Sequence, residues 1–391
     1  MRYKFKTKPL RKQLDCYGRA VLRPVFALFM DMGTGKTKVS IDVVATHHLR
    51  GRCDKVLVIA PLSVLGSWKK EVAKHCPVKA KVFVTGQKKR EAFDRFAASD
   101  EPFRWFVTNY ESLKPLWKEL NGVKWDAIVV DESQKIKNWK AKRTQRLIKL
   151  ASKVLIRLIL TGTPVSQIGP FDLYSQMYFL DPKVIGFRSF YGYQKWIGIK
   201  ERFGSKSFYR KAYNKQRFAT IMNRIAPYCF SVRKREMVDL PPVTEIERVV
   251  EMGTVQARIY KDMKTACIAE YEGNIVEARL VLPRMTRLSQ ITGGFMPDSE
   301  GGLPRMIEKS SKISELEDVL GDLAHDDKVI VWFRFRAECD LIGQRLAATF
   351  GSESVVELHG GVKQADREHN IERFQKDPTC RFFLGQQSTG G

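Results

Sequence analysis

Acidic residues are scarce in this chain. Its 391 residues hold 43 Asp and Glu against 68 Lys and Arg, for a net charge of +25 and a pI near 9.8. Such an excess favours a polyanionic partner, because each phosphate neutralised by a basic side chain releases counterions. A scattered, solvated surface is the plain alternative, so the placement of the charge matters more than its total. The seven cysteines contain no C-x-x-C pair. Their dispersion excludes a zinc cluster and reads as reduced, mostly buried thiols. No uninterrupted apolar run approaches the roughly 18 residues of a membrane span. The basic start, Met1 to Lys12, lacks the apolar core of a secretory signal. A cytoplasmic protein is expected. Low-complexity tracts and sequence repeats are absent too, and an apolar fraction of 43% supports packed cores in place of disorder.

Short apolar strands alternate with amphipathic helices from about residue 20 to 165. Strands are expected at Phe26–Met30, Val56–Ala60, Phe106–Val107, Ala127–Val130 and Val154–Leu160, with helices at Ser63–His75 and Trp139–Ala151. That alternation implies a parallel sheet covered on both faces. It returns near the end, with strands at Lys328–Phe333, Ser354–Leu358 and Arg381–Leu384 and helices at Ser311–Leu323, Ala337–Phe350 and Lys363–Gln375. Between the two halves, Lys183 to Arg235 carries fourteen Lys and Arg, twelve aromatics and a single acid, Glu201. Basic residues interleaved with aromatics suit a nucleic-acid surface, and Arg210, Lys211 and Lys215 are its candidate phosphate contacts. A helical insertion with its own aromatic core and solvated charge is the other reading of the same stretch.

Two runs carry the chemistry. Asp31-Met32-Gly33-Thr34-Gly35-Lys36-Thr37 follows one apolar strand and opens a helix. Gly33 and Gly35 let main chain approach phosphate oxygens at a helix N-terminus, with Met32 and Thr34 completing the turn. Lys36 is placed to reach the β/γ-phosphates of ATP, and the Thr37 hydroxyl to ligate Mg²⁺. The strict pattern asks for glycine at Met30, so this loop alone does not decide. Val129-Val130-Asp131-Glu132 ends another strand in two carboxylates. Asp131 suits the metal, leaving Glu132 to orient and deprotonate the attacking water.

The order and spacing of further segments resemble the Swi/Snf-type branch of the superfamily 2 helicases. These are Pro9–Gln13, Leu57–Trp68, Val107–Glu111, Leu160–Pro164, Leu173–Pro182, Tyr228–Pro242, Gln256–Tyr260, Ile330–Phe335, Leu358–Gly360 and Gly385–Gly391. The resemblance implies an α/β fold of two tandem RecA-like lobes with a helical basic insertion. Its divisions are an ATP-binding lobe (1–182), the insertion (183–245), a linker and helical protrusion (246–310) and a partial second lobe (311–391). It implies that Gln13 reads adenine and that Ser63, Thr108, Asn109, Tyr110, His359 and Gly360 meet nucleic acid. Thr161 and Thr163 would couple the ATP and DNA sites, with Gln134 donating and accepting across the cleft. Ser63 also suits a helix N-cap, Trp68 reads as core, and His359 fits a satisfied loop histidine equally well.

Three departures stand out. Gln134 replaces the histidine usual in remodelling relatives, and Gln167 stands where asparagine is usual. The sequence also stops at Gly390-Gly391, inside the segment resembling the fifth motif, so the arginines of the sixth are not in it. In related phosphoryl-transfer systems an arginine finger contributes ~10³–10⁵ in rate. The expectation is therefore an incomplete second lobe, with ATP and DNA bound but turnover weak in residues 1–391 alone. The reading is an ATP- and Mg²⁺-dependent motor on duplex DNA, held mainly by the backbone. A strand-separating or branch-migrating helicase and a DNA-binding module without hydrolysis remain its alternatives.

Overall fold

Uninterrupted apolar strands such as Val25–Met30 need cover on both faces, and the fold supplies it. A computed structural model describes residues 3–86, 88–165, 169–203, 206–237, 243–273, 278–296, 304–307, 310–323 and 326–386. Two compact units divide the chain, Met1–Pro242 and Val243–Gly391.

The first unit is built on strands β1 (Val25–Met30), β2 (Lys55–Ala60), β3 (Lys81–Val84), β4 (Arg104–Asn109), β5 (Ala127–Asp131) and β6 (Ile156–Leu160). A hairpin follows, β7 (Gly198–Phe203) and β8 (Lys206–Tyr213), and then β9 (Cys229–Val232). Seven of these form one sheet in the order β3-β4-β2-β5-β6-β1-β9, with every pairing parallel. Side chains alternate between its faces. Ala27, Phe29, Leu57 and Ile59 enter one core, while Phe26, Leu28, Met30, Val56 and Val58 enter the other. Each such buried Phe or Leu stabilises the fold by about 1.5–3 kcal/mol. Among the helices, α1 (Arg11–Ala20) precedes β1, α2 (Lys36–Leu49) follows it, and α3 (Leu65–His75) follows β2.

Of the expected insertion, 183–245, all but the last three residues fall in the first unit. The segment is helical at Pro182–Ile185, Phe190–Ile197 and Lys215–Ile225, and it also contains the β7–β8 hairpin. Most of its described aromatics pack against the core. Phe190 stacks on Trp139 at 5.4 Å, Tyr213 meets Phe218 edge-on, and buried Tyr193 donates to the Pro170 carbonyl at 2.8 Å. Its last strand, β9, pairs with β1 in the main sheet.

The second unit holds a three-stranded parallel sheet of Val329–Phe333, Phe382–Gln386 and Val355–Leu358, in that spatial order. Helices Ser311–Gly321, Arg336–Phe350 and Gln364–Lys376 accompany it, and Thr254–Gly273 and Ala278–Thr292 precede it. Among the described residues no helix is long and apolar enough to cross a membrane. The described cysteines are unpaired, and all but Cys229 are buried.

One buried group ties stability to pH. His47, on α2, has no hydrogen-bond partner for either ring nitrogen among the described residues. Burial, reinforced by Arg50 and Arg52, pushes its imidazole from 6.5 down to about 4. The unfolded chain therefore binds a proton that the folded chain refuses between those two values. Stability should be complete above pH 6.5 and fall as pH drops toward 4, by about 3 kcal/mol from this residue. His47→Leu should flatten that limb of a melting-temperature profile. An unchanged acid limb would remove His47 as its cause.

Candidate ATPase site

Parallel strands deliver their C-terminal ends to one edge of the sheet, and β5, β6 and β1 are adjacent there. That edge collects Asp131 and Glu132, Thr161, and the glycine loop.

The loop runs from Asp31 to Gly35, where α2 begins. Gly33 and Gly35 both have positive φ, 77° and 81°, a region closed to most side chains. At Gly35 a Cβ would stand 2.3 Å from Nε2 of Gln13, so only glycine fits. Gln13 braces the loop. Its Nε2 donates to the Thr34 carbonyl at 3.0 Å, and its Oε1 accepts from the Leu10 N–H at 3.0 Å. One N–H and one lone pair of this amide are left for a base edge. Thr34 is buried, its hydroxyl donating to the Asp31 carbonyl, whereas the Met32 side chain is 68% exposed and only its main chain can serve the loop. Lys36 is buried and donates to the Met30 and Asp31 carbonyls at 2.9 and 3.2 Å. Burial lowers its pKa, opposed by the charges of Glu132, Asp131 and Asp31. Thr37, half-buried, is the second residue of α2.

Asp131 is held at both oxygens. The Glu132 N–H donates to Oδ1 at 3.0 Å, and the Trp68 indole donates to Oδ2 at 2.9 Å. Burial pushes the carboxyl up to about 6 against the Trp68 bond, with Glu132 raising it and Lys36 lowering it. A buried carboxylate with this deficit of positive charge fits a divalent cation, and Thr37 is the loop hydroxyl that could share it. Glu132 has φ 51°, the left-handed region, and no other non-glycine among the described residues has positive φ. Strain of this kind costs about 1–3 kcal/mol and is held by its surroundings.

Those surroundings form a chain of donors. The Thr163 N–H donates to the Thr161 hydroxyl at 3.0 Å, Thr161 donates to Gln134 Oε1 at 2.7 Å, and Gln134 Nε2 donates to Glu132 Oε2 at 2.8 Å. Every donor points toward the carboxylate. A second brace runs from the Ser133 hydroxyl to Gln176 Oε1 at 2.7 Å, with Gln176 donating to the Pro164 carbonyl at 2.8 Å.

Several expected nucleic-acid contacts are turned inward. Thr108 is fully buried and accepts from the Thr85 hydroxyl. Asn109 caps the short turn Tyr110–Leu113 by accepting from the Ser112 N–H. Tyr110 is buried behind the acidic pair, donating to the Asp131 and Glu132 carbonyls. Of the three, Tyr110 touches the main chain of the acidic pair, while Thr108 and Asn109 brace their own strand end. His359 is likewise turned inward, as the loop-histidine reading expects. It is buried, its Nδ1 accepts from the Gly361 N–H at 3.0 Å, and Nε2 faces Glu357 at 3.3 Å. Cys339, Glu357 and His359 approach within 4.8 Å. Nδ1 is engaged by the Gly361 N–H and Nε2 lies beside Glu357, so the three side chains form a tight polar cluster. Gly360 beside it is exposed.

Ser63 is exposed within a single turn, Leu62–Val64, and does not cap α3, whose N-cap is Val64. Lys215 is exposed at the start of its helix. Arg210 and Lys211 lie on β8, with side chains outside the described residues, as are Gln167 and residues 387–391. Trp68 and Gln176 brace the acidic segment in a way that periodicity hides. The usable signal at Trp68 was chemical, because a buried indole N–H needs an acceptor.

The geometry matches known proteins. Residues 26–293 match the SNF2-related domain, and residues 311–390 the helicase conserved C-terminal domain. The chain belongs to the SNF2-related family. It thereby falls among the Swi/Snf-type ATPases of helicase superfamily 2, as the motif order implies. It is 25% identical over 380 residues to the CHD3-type chromatin-remodeling factor CHR7 of Arabidopsis thaliana, covering 92% of this chain and 30% of that protein. It is 26% identical over 372 residues to the putative ATP-dependent helicase/translocase YwqA of Bacillus subtilis, covering 92% of this chain and 38% of that protein. The chain thus spans about a third of the length of these relatives. Among solved structures, the Sulfolobus solfataricus SWI2/SNF2 ATPase core in complex with dsDNA is similar, with a TM-score of 0.53 and 25% identity. That likeness covers 98% of this chain and 79% of that one.

Proposed function

We propose that this chain is an ATP-driven translocase acting in the cytoplasm on duplex DNA, which it holds mainly by the backbone. The observation that carries the reading is the donor chain from Thr163 to Glu132. It links a loop at the end of β6 to the carboxylate best placed to activate water, so movement of one registers at the other.

The reaction is in-line attack of water on the γ-phosphorus of ATP. The bond to the β–γ bridging oxygen breaks, and ADP and phosphate leave. Glu132 orients the water and takes its proton, while Gln134 holds the carboxylate in place. Lys36 leaves its loop carbonyls for the β/γ-phosphates, where its charge offsets the anion in a water-poor site. Thr37 and Asp131 would hold Mg²⁺, which supplies further charge neutralisation at the phosphates. The helicase/translocase relative and the dsDNA complex of the Sulfolobus core support DNA as the track, as does the net charge of +25.

The basic segment provides the test of the DNA reading. Reversal of Arg210, Lys211 and Lys215 to Glu should weaken binding to all duplex sequences alike. The slope of log affinity against log salt should fall by roughly 0.9 for each phosphate no longer neutralised. An unchanged slope in a folded variant would mean that this surface faces only solvent.

A further inference from the structure

Strand β9 brings a second lysine to the phosphate loop. It pairs with β1 on the side away from β6, in the register Ala27↔Cys229 to Met30↔Val232, so the chain leaves both strands at the same level. Two main-chain bonds hold the segment beyond β9 against the loop. The Asp31 N–H donates to the Val232 carbonyl at 3.1 Å, and the Lys234 N–H donates to Asp31 Oδ2 at 2.9 Å. The Lys234 side chain extends along the loop. A Cβ added at Gly33 would stand 3.7 Å from its Cε and 3.9 Å from its Nζ. Lys234 is exposed, and among the described residues its ammonium has no hydrogen bond or ion pair. Asp31, the acid of the loop itself, is already engaged by the Lys234 main chain.

We infer that Lys234 is a second phosphate-binding cation of the nucleotide site. The inference rests on the ATP reading above and adds a residue from outside the glycine loop. Lys36 reaches the loop from α2 and touches residues 30 and 31; Lys234 reaches it from β9 and flanks residue 33. An ammonium flanking a turn of positive-φ glycines gains an anionic partner when phosphates enter, and such charge-assisted bonds are the strong ones. Its main-chain bond to Asp31 does not depend on the side chain, so the loop's anchor survives truncation.

The test is calorimetric titration of the full chain with ATP, ADP and adenosine in Mg²⁺ buffer, alongside thermal melting. Relative to wild type, Lys234→Ala should bind ATP and ADP about tenfold more weakly, bind adenosine equally well and melt at the same temperature. Lys234→Arg should recover most of the loss. Equal ATP affinity in wild type and Lys234→Ala would overturn the inference while leaving the ATP reading intact. So would an equal loss for adenosine, or an Arg variant as weak as the Ala variant. A wild-type chain that binds no ATP would overturn the ATP reading and this inference with it.

Discussion

Glu132→Gln should retain ATP and Mg²⁺ binding and lose most of its turnover, by a factor of ~10²–10⁴. The substituted amide keeps the shape of the side chain and can still accept from Gln134, whose Nε2 lies 2.8 Å from Glu132 Oε2. It cannot take a proton from water. Asp131, with its bonds to Trp68 and the Glu132 main chain, is untouched, so metal binding persists. In a chain that carries the sixth motif, single-turnover hydrolysis and nucleotide titration measure the two halves separately. Retention of more than about a tenth of wild-type turnover would reject Glu132 as the base.

The donor chain behind Glu132 gives the second large effect. Gln134→Ala leaves a strained carboxylate without its side-chain donor and the Thr161 hydroxyl without its acceptor. A hydrogen bond to a charged group contributes about 1.5–3 kcal/mol, so DNA-stimulated turnover should fall by roughly ten- to a hundredfold. DNA-free turnover should fall less. Thr161→Val should reproduce the effect, and the double variant should be no worse than Gln134→Ala. The expected coupling lies in the range of about 0.5–3 kcal/mol found for residues sharing a network. Strict additivity would show that the chain transmits nothing between β6 and the acidic pair.

The parts legible in the sequence are those set by local periodicity and by glycine. The strand at Val56–Ala60 needs only one residue added, and the three strands of the second unit fall within one or two residues of their expected ends. The glycine loop and the acidic pair stand at strand ends on the same edge of the sheet, with β6 between them. Strand β9 was hidden because its four residues, CFSV, sit in a basic segment and acquire strand character only by pairing with β1, some 200 residues earlier. Strand β3 is short, partly exposed and at the sheet edge, so its apolar signal is weak. Thr108, Asn109 and Tyr110 were legible as a motif but not as to direction. A polar triplet at a strand end can face a ligand or brace its neighbours, and burial and hydrogen bonding are not written in the triplet itself. Trp68 shows the converse, an apolar-stripe residue whose one polar atom holds the Asp131 carboxylate.

A motor that tracks along duplex DNA spends ATP in proportion to the distance available before it reaches an end. The decisive measurement is steady-state ATP turnover, by a chain that carries the sixth motif, on linear duplexes of increasing length, with total base pairs held constant and DNA saturating. Turnover should rise with duplex length and then level off, and Glu132→Gln should abolish the dependence. Turnover indifferent to duplex length, or to the presence of DNA at all, would contradict translocation and leave a nucleotide-binding protein that does not move.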